Sequence, residues 1–281
     1  MTEPAALPTY GEFVASCRED GKQRVLLDRR VEHAVVTMHD PDRLNALSGP
    51  LTVQLLDRLT EVAADPAIRA VVLTGTDPGF SAGGDLSLME SYAQPQVRDG
   101  AQGATSPWRW IRNQFGAIAK LLVRSDTTFV AAVNGPAAGV GLAFALACDV
   151  IVVSERAQLV PAFGRIGLVP EVGTSWLLTR RLGYQRAYGL FVDGRPLTGA
   201  DAMDAGLANE LVDHDTLLPA ALRWCERVGR LPDHVPAMTK TILRQAADLS
   251  WEQAIALEEF AEPMCFTTQG HRAGVADLRD R

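Results

Sequence analysis

Short, mainly apolar runs rich in β-branched residues recur along this chain, with helix-like segments between them. Ala70–Gly75 (AVVLTG), Thr128–Gly135 (TFVAAVNG) and Cys148–Ser154 (CDVIVVS) show no polar alternation. A strand with one wet face alternates apolar and polar side chains. A continuous apolar run suits a strand covered on both faces, as in parallel sheets. The intervening segments place apolar residues at helical spacing. Ser48 can cap a helix with Pro50 in its first turn, and Leu51, Leu55, Leu59 and Val62 then share one face. Ile111, Phe115, Ile118 and Leu122 form a second stripe. Strands alternating with helices point to an α/β fold with parallel pairing. Val25–Arg29 and Ala34–Met38 read as a hairpin ahead of it.

After about residue 196 the strand signal fades, and Leu217–Val228, Ala237–Ala247 and Trp251–Phe260 read as helices. The expected organisation is a loose leader over 1–22, an α/β core over 23–196 and a helical region over 197–281. Gln94–Pro107 (QPQVRDGAQGATSP) is polar and aperiodic, and reads as a mobile lid or a surface insertion. The Trp108 and Trp110 that follow either shape a pocket or pack in the core.

Composition narrows the function classes. Lys+Arg 27 against Asp+Glu 34 gives a net charge of −7, the wrong balance for a non-specific nucleic-acid binder. No run approaches the ~20 apolar residues of a membrane span. The start, MTEPAALPTYGEF, lacks the basic flank and apolar run of a secretory signal. Cys17, Cys148, Cys225 and Cys265 form no CxxC, and the histidines form no HExxH. Free thiols in a reducing cytoplasm are expected, with no metal site.

Two glycine-bearing turns stand where a buried strand gives way to a helix. In Gly79–Glu90 (GFSAGGDLSLME), Ala82, Gly83 and Gly84 have almost no side chain, so a ligand can touch main chain. In Asn134–Val150 (NGPAAGVGLAFALACDV), the turn through Gly139, Val140 and Gly141 opens an apolar helix. The N–H groups of a helix's first turn are unpaired and favour partial negative charge. Either turn alone could serve packing. Together, after neighbouring parallel strands, they could aim two N–H groups at one oxygen, as an oxyanion hole does. Neither is a GxGxxG fingerprint or a phosphate loop.

These segments, with DRLNALS (Asp42–Ser48), AFGRIGLVPEVGTSWLLTRRLG (Ala162–Gly183) and FVDGRPLTGADAMDAGLANELV (Phe191–Val212), make the chain resemble the enoyl-CoA hydratase/isomerase family, the crotonase superfamily. The resemblance implies a spiral of ββα units with a C-terminal helical region, assembled as homotrimers or homohexamers. It implies an acyl-CoA thioester as ligand, with coenzyme A part of the substrate and no separate cofactor. The family's oxyanion amides map onto Gly84 and Val140. Substrate contacts map onto Arg43, Asn45, Ala46 and Leu47 beside adenine and pantetheine, and onto Ser81, Ala82, Gly83, Asp85, Leu86, Gly139 and Phe163. Asp85 could instead simply begin its helix. Arg24, Arg29, Arg30, Arg43, Lys240, Arg279 and Arg281 are candidate cations for the phosphates.

The resemblance also bears on the reaction. The family's hydratases use two glutamates, whose positions here hold Ala143 and Phe163. Neither transfers a proton. Several isomerases of the family place one acid after a proline, and here that residue is Glu171 in GLVPEVGTS. One carboxylate suffices for a double-bond shift. Apolar neighbours Phe163, Val169, Val172 and Trp176 would raise its pKa. Glu171 could alternatively satisfy N–H groups at the next helix's start. The leading expectation is an enoyl-CoA isomerase with Glu171 as the single acid/base. The alternatives are hydration or another acyl-CoA enolate reaction (thioester hydrolysis, carbon–carbon cleavage), and a non-catalytic acyl-CoA binder.

Overall fold

The structure is a computed structural model and describes residues 8–93 and 105–280. Its strands are β1 (Val25–Arg29), β2 (His33–Met38), β3 (Ala70–Gly75), β4 (Thr128–Val133), β5 (Pro136–Ala138), β6 (Val150–Ser154), β7 (Gln158–Val160), β8 (Leu197–Thr198) and β9 (Glu210–Val212). Six form one sheet in the order β1-β2-β3-β4-β6-β9, and three form a second in the order β5-β7-β8. The expected hairpin is present, with β1 antiparallel to β2. From β2 to β9 every pairing in the large sheet is parallel.

The apolar runs follow from burial on both faces. Val71, Leu73, Ala131, Val133 and Val153 face one core, which includes Leu51, Leu55 and Leu59 of the helix Gly49–Ala64. Their neighbours Val72, Val130, Ala132 and Val152 face a second, filled by Leu217, Ala220, Ala221 and Cys225 of the helix Leu217–Gly229. Each buried Val or Leu contributes about 1.5–3 kcal/mol, so neither face tolerates a charge. Ser48 caps Gly49–Ala64 as expected, its side chain accepting from Leu51 N–H.

The structure corrects several boundaries. The expected loose leader contains a helix, Tyr10–Arg18, begun by a capping box between Thr9 and Glu12. It buries Cys17, and Arg18 pairs with Asp57 at 3.0 Å. β8 and β9 both fall after residue 196, so the sheets run on into the segment read as purely helical. These strands are two and three residues long, too short to carry a periodic signal. Residues 94–104 of the expected loop lie outside the described residues. Its last three residues instead open the helix Thr105–Trp110, which continues as a π-helical turn, Ile111–Phe115, into Gly116–Arg124. The helices His234–Ala246, Trp251–Phe266 and Gln269–Arg279 complete the chain. No described helix is long and apolar enough to cross a membrane.

Candidate active site

The two glycine turns are stitched together by backbone hydrogen bonds. Phe80 and Ser81 N–H both donate to Pro136 O at 3.0 Å, and Ala138 N–H donates to Ser81 O at 2.9 Å. The first turn therefore runs alongside β5, which delivers Val140 to the start of the helix Val140–Ala147. Gly83 has φ +87°, and a Cβ there would lie 2.5 Å from Ala138 O and 3.5 Å from Val140 N. Only glycine allows that approach. At Gly139, φ 51° and ψ −118° are again a glycine conformation. Val140 is the first residue of its helix, so its N–H has no intrahelical acceptor. Gly84 N–H has no acceptor among the described residues.

The DRLNALS segment braces the first turn from the other side. Leu47 N–H donates to Gly83 O at 2.7 Å, and Ala82 N–H to Leu44 O at 2.8 Å. Ser81 Oγ donates to Asn45 O at 2.8 Å and accepts from Gly83 N–H at 3.2 Å. Asn45 is fully buried, and its side chain is consumed. Oδ1 accepts from Asp40 N–H, while Nδ2 donates to Thr76 O and Gly79 O. The expected ligand contact does not extend to the Asn45 side chain, which is a brace. Leu47 and Ser81 are likewise fully buried, whereas Ala46 is half-buried and Ala82 exposed.

A cavity of about 630 Å³ opens at the first turn. Gly84, Asp85, Leu86 and Glu171 lie on its wall, with Leu88, Met89, Trp110, Phe115, Ile166 and Val169 among the apolar lining. Val140, Gly139 and Phe163 are not on that wall. Val140 is 1% exposed and lies against the Gly83 backbone. Phe163 is buried, packs on Phe191 at 6.3 Å, and its ring is 3.9 Å from where a Gly139 Cβ would stand. A larger space of about 830 Å³, between Ala63–Arg69 and the C-terminal helices, is lined by neither glycine turn.

Glu171 is half-buried, and its carboxylate has no hydrogen-bond or ion-pair partner among the described residues. Burial pushes its pKa above the ordinary value, since no cation or donor offsets the lost hydration. Helix capping is not its side chain's task. The Glu171 backbone oxygen accepts from Thr174 N–H at 3.0 Å and Thr174 Oγ1 at 2.7 Å. The next residue, Val172, has φ 58°, a left-handed conformation costing a β-branched residue roughly 1–3 kcal/mol. Clamped carbonyl and strained successor hold Glu171 at this turn.

Asp85 does begin its helix, Leu86–Ala93. Its Oδ1 accepts from Ser87 N–H at 2.8 Å and from Arg43 Nη2 at 2.8 Å. Of the candidate phosphate cations, Lys240 is excluded by geometry. Its Nζ donates to Leu122 O, Thr127 O and Asp149 Oδ2, and it is only 7% exposed. Arg24 and Arg29 are each paired with two carboxylates.

The wall residues Leu88, Met89, Tyr92, Ile111, Phe115, Ile166 and Leu168 carry no sequence signal of a site, because apolar and aromatic side chains are common to cores and surfaces alike. The tryptophan pair divides: Trp110 lines the cavity, whereas Trp108 is exposed, with Arg112 over its ring at 5.2 Å. Among the described residues no group of three or more His, Cys, Asp or Glu could hold a metal ion, and all four cysteines are unpaired.

Residues 31–277 match the enoyl-CoA hydratase/isomerase family. The chain is 29% identical to 1,2-epoxyphenylacetyl-CoA isomerase of Escherichia coli K12, over 94% of both chains. It is also 29% identical to 2,3-dehydroadipyl-CoA hydratase of the same organism, over 90% of this chain and 94% of that one. Among solved structures, a monofunctional enoyl-CoA isomerase of M. smegmatis superposes with a TM-score of 0.68 at 31% identity. That match covers 83% of this chain and 99% of the other.

Proposed function

This chain belongs to the enoyl-CoA hydratase/isomerase family, and from that premise we propose that it shifts a double bond in an enoyl-CoA with Glu171 as the only acid/base. The Glu171 carboxylate takes the α-proton of a 3-enoyl-CoA. The electron pair moves into the thioester, and the oxygen gains negative charge. Gly84 N–H and Val140 N–H stabilise that oxygen, and one well-aimed donor of this kind is worth about 2.7–4 kcal/mol. Protonated Glu171 then returns the proton to the γ-carbon, giving the 2-enoyl-CoA. No water or second acid is consumed.

One observation carries this reading: a desolvated carboxylate without a partner among the described residues shares a cavity wall with Gly84. A raised pKa suits both halves of the reaction, because the group must accept and then release a proton near neutral pH. Hydration by the family's two glutamates lacks both groups at their usual positions, which hold Ala143 and Phe163. The proposed assembly into trimers or hexamers is supported by large apolar side chains left on the C-terminal helices, Trp251 at 72% and Phe260 at 80% exposure.

The test is turnover of 3-enoyl-CoA and 2-enoyl-CoA with product analysis, for the parent and Glu171→Gln. Proton transfer by a placed side chain contributes about 10²–10⁴-fold, so the variant should lose isomerisation by that factor. Full activity in Glu171→Gln would remove the carboxylate from the mechanism. The similarity to a hydratase favours a second reading, in which the same enolate site hydrates a 2-enoyl-CoA. A 3-hydroxyacyl-CoA product would identify it.

A further inference from the structure

The ladder between β3 and β4 ends before the two glycine turns begin. Its last pair is Leu73 with Ala131. Past it, the next main-chain bonds between the two segments are those from Phe80 and Ser81 N–H to Pro136 O. Side chains bridge the stretch between. Thr74 Oγ1 donates to Ala132 O at 2.8 Å, and Asn134 Nδ2 donates to Asp77 Oδ1 at 2.8 Å. The second bridge lies just past the end of each strand, at the root of both turns. Gly135 follows it, and a Cβ there would collide with Pro78 O and stand 3.0 Å from Gly79 Cα. The missing side chain lets the two roots close to contact.

Asp77 is held from a third side. His214 Nε2 lies 3.0 Å from Asp77 Oδ2. A carboxylate only accepts, so Nε2 carries the proton. His214 opens the turn His214–Thr216, which runs into the helix Leu217–Gly229 behind the sheet. Both partners spend their polarity on Asp77. Asn134 Oδ1 and His214 Nδ1 are buried with no partner among the described residues. A leucine at position 134 would fill the space without stranding an oxygen, so the bond to Asp77 is what Asn134 contributes. Burial would raise the Asp77 carboxyl, but the hydrogen bonds from Asn134 and His214 outweigh it and hold it below its ordinary value. The group is ionised at neutral pH, and an ionised acceptor makes the stronger bond.

We propose that Asp77 is a positioning residue of the oxyanion site: by clasping Asn134 it sets how far apart the two glycine turns, and with them Gly84 N–H and Val140 N–H, stand. The inference rests on the reading of those two amides as the oxyanion donors. Asp77 is not on the cavity wall, so it acts through the turns. Donors of this kind must be held within about 0.5 Å of their productive places, and a tie at both roots supplies that constraint.

The experiment compares Asp77→Ala with the parent by kinetics and by isotope-edited infrared spectra of bound, carbonyl-labelled butanoyl-CoA, a saturated thioester that cannot isomerise. In the parent the carbonyl stretch should fall below that of the free thioester, because two donors polarise it. In Asp77→Ala that downshift should shrink, and kcat for a 3-enoyl-CoA should drop about 100-fold with KM unchanged, as for a displacement near 1 Å. Asp77→Asn keeps an oxygen for Asn134 Nδ2 and should regain most of the downshift and the rate. The Asp77 side chain is 61% exposed, so its removal leaves no buried void. Should Asp77→Ala still fail to fold, Asp77→Ser, too short to reach Asn134, takes its place. A full downshift and full kcat in Asp77→Ala would overturn the proposal, as would a rise in KM with kcat kept. Asp77→Asn as impaired as Asp77→Ala would overturn it too. No downshift in the parent would refute the oxyanion reading and the proposal with it. The carbonyl signal involves neither Glu171 nor a product, so a failure of the isomerase reading shows separately, in the product analysis.

Discussion

Replacing Gly83 by alanine tests the geometry on which the oxyanion site depends. A Cβ at this position would stand 2.5 Å from Ala138 O and 3.2 Å from Ala138 C. Carbon and oxygen approach comfortably only to about 3.3–3.6 Å, so the strands must part by roughly 0.8–1 Å. The obstacle is backbone, tied down by Ala138 N–H donating to Ser81 O, and no rotamer relieves it. Overpacking of this kind costs about 1–3 kcal/mol, and the residue's φ of +87° adds strain of about 1–3 kcal/mol for a residue with a side chain. The expected total is roughly 2–6 kcal/mol, or a fall in Tm of about 4–12 °C at about 2 °C per kcal/mol for a chain of this size. Gly84 is the next residue, so its N–H moves with the strand. A displacement near 1 Å should lower kcat/KM by about 100-fold. Gly189→Ala is the contrast. It lies inside the helix Tyr184–Asp193, and a Cβ there meets nothing within 4 Å. It should stabilise by about 0.5–1 kcal/mol and leave turnover alone. Thermal melts and 3-enoyl-CoA kinetics on both variants decide the matter. If Gly83→Ala melts within about 2 °C of the parent and keeps its activity, the two turns do not abut as described.

Glu171 should make stability and activity move in opposite directions with pH. Its folded pKa is raised, so its contribution is fully present below the ordinary value of 4.5 and is lost as pH rises through the folded value. Glu171→Gln should therefore melt above the parent at pH 7–8 while losing isomerisation, with the gap closing toward pH 4.5 in parallel melts. Parent turnover should rise along a limb displaced upward from 4.5, read from a pH–rate profile. Asn45→Ala strands Asp40 N–H, Thr76 O and Gly79 O in a buried site. Urea denaturation should register a loss of roughly 2–5 kcal/mol. Lys240→Met leaves Asp149 with Arg244 as its one paired cation among the described residues, beside the Phe129 N–H, and should cost about 3–5 kcal/mol. Its KM for the CoA thioester should not change, and a rise of KM without loss of stability would restore Lys240 as a phosphate ligand.

Much of the fold was legible because burial on both faces leaves a local mark. Ala70–Gly75 reads as a strand wherever it is met, since neither neighbouring core admits a polar side chain. The helix opened by Ser48 was legible for the same local reason, a capping residue ahead of an apolar stripe. The N-terminal helix was not. Its apolar residues Phe13 and Val14 are only half-buried and take meaning from the core they lean on. β9 is three residues long, and it is a strand because the β6 edge offers unpaired backbone groups to it.

At the site the division is sharper. Residue chemistry marked the glycine turns, and the family resemblance marked the single acid after Pro170 and the empty glutamate positions at Ala143 and Phe163. Whether Glu171 faces the same space as Gly84, and whether a cation neutralises it, depends on segments 87 positions apart being folded together. Asn45, Lys240 and Asp85 could each have met a ligand. Tertiary packing decided instead which of their polar atoms already had partners. Hydrogen-bond capacity belongs to the residue type, but whether it is spent inside the protein or left for a substrate is settled only by the neighbours that folding supplies.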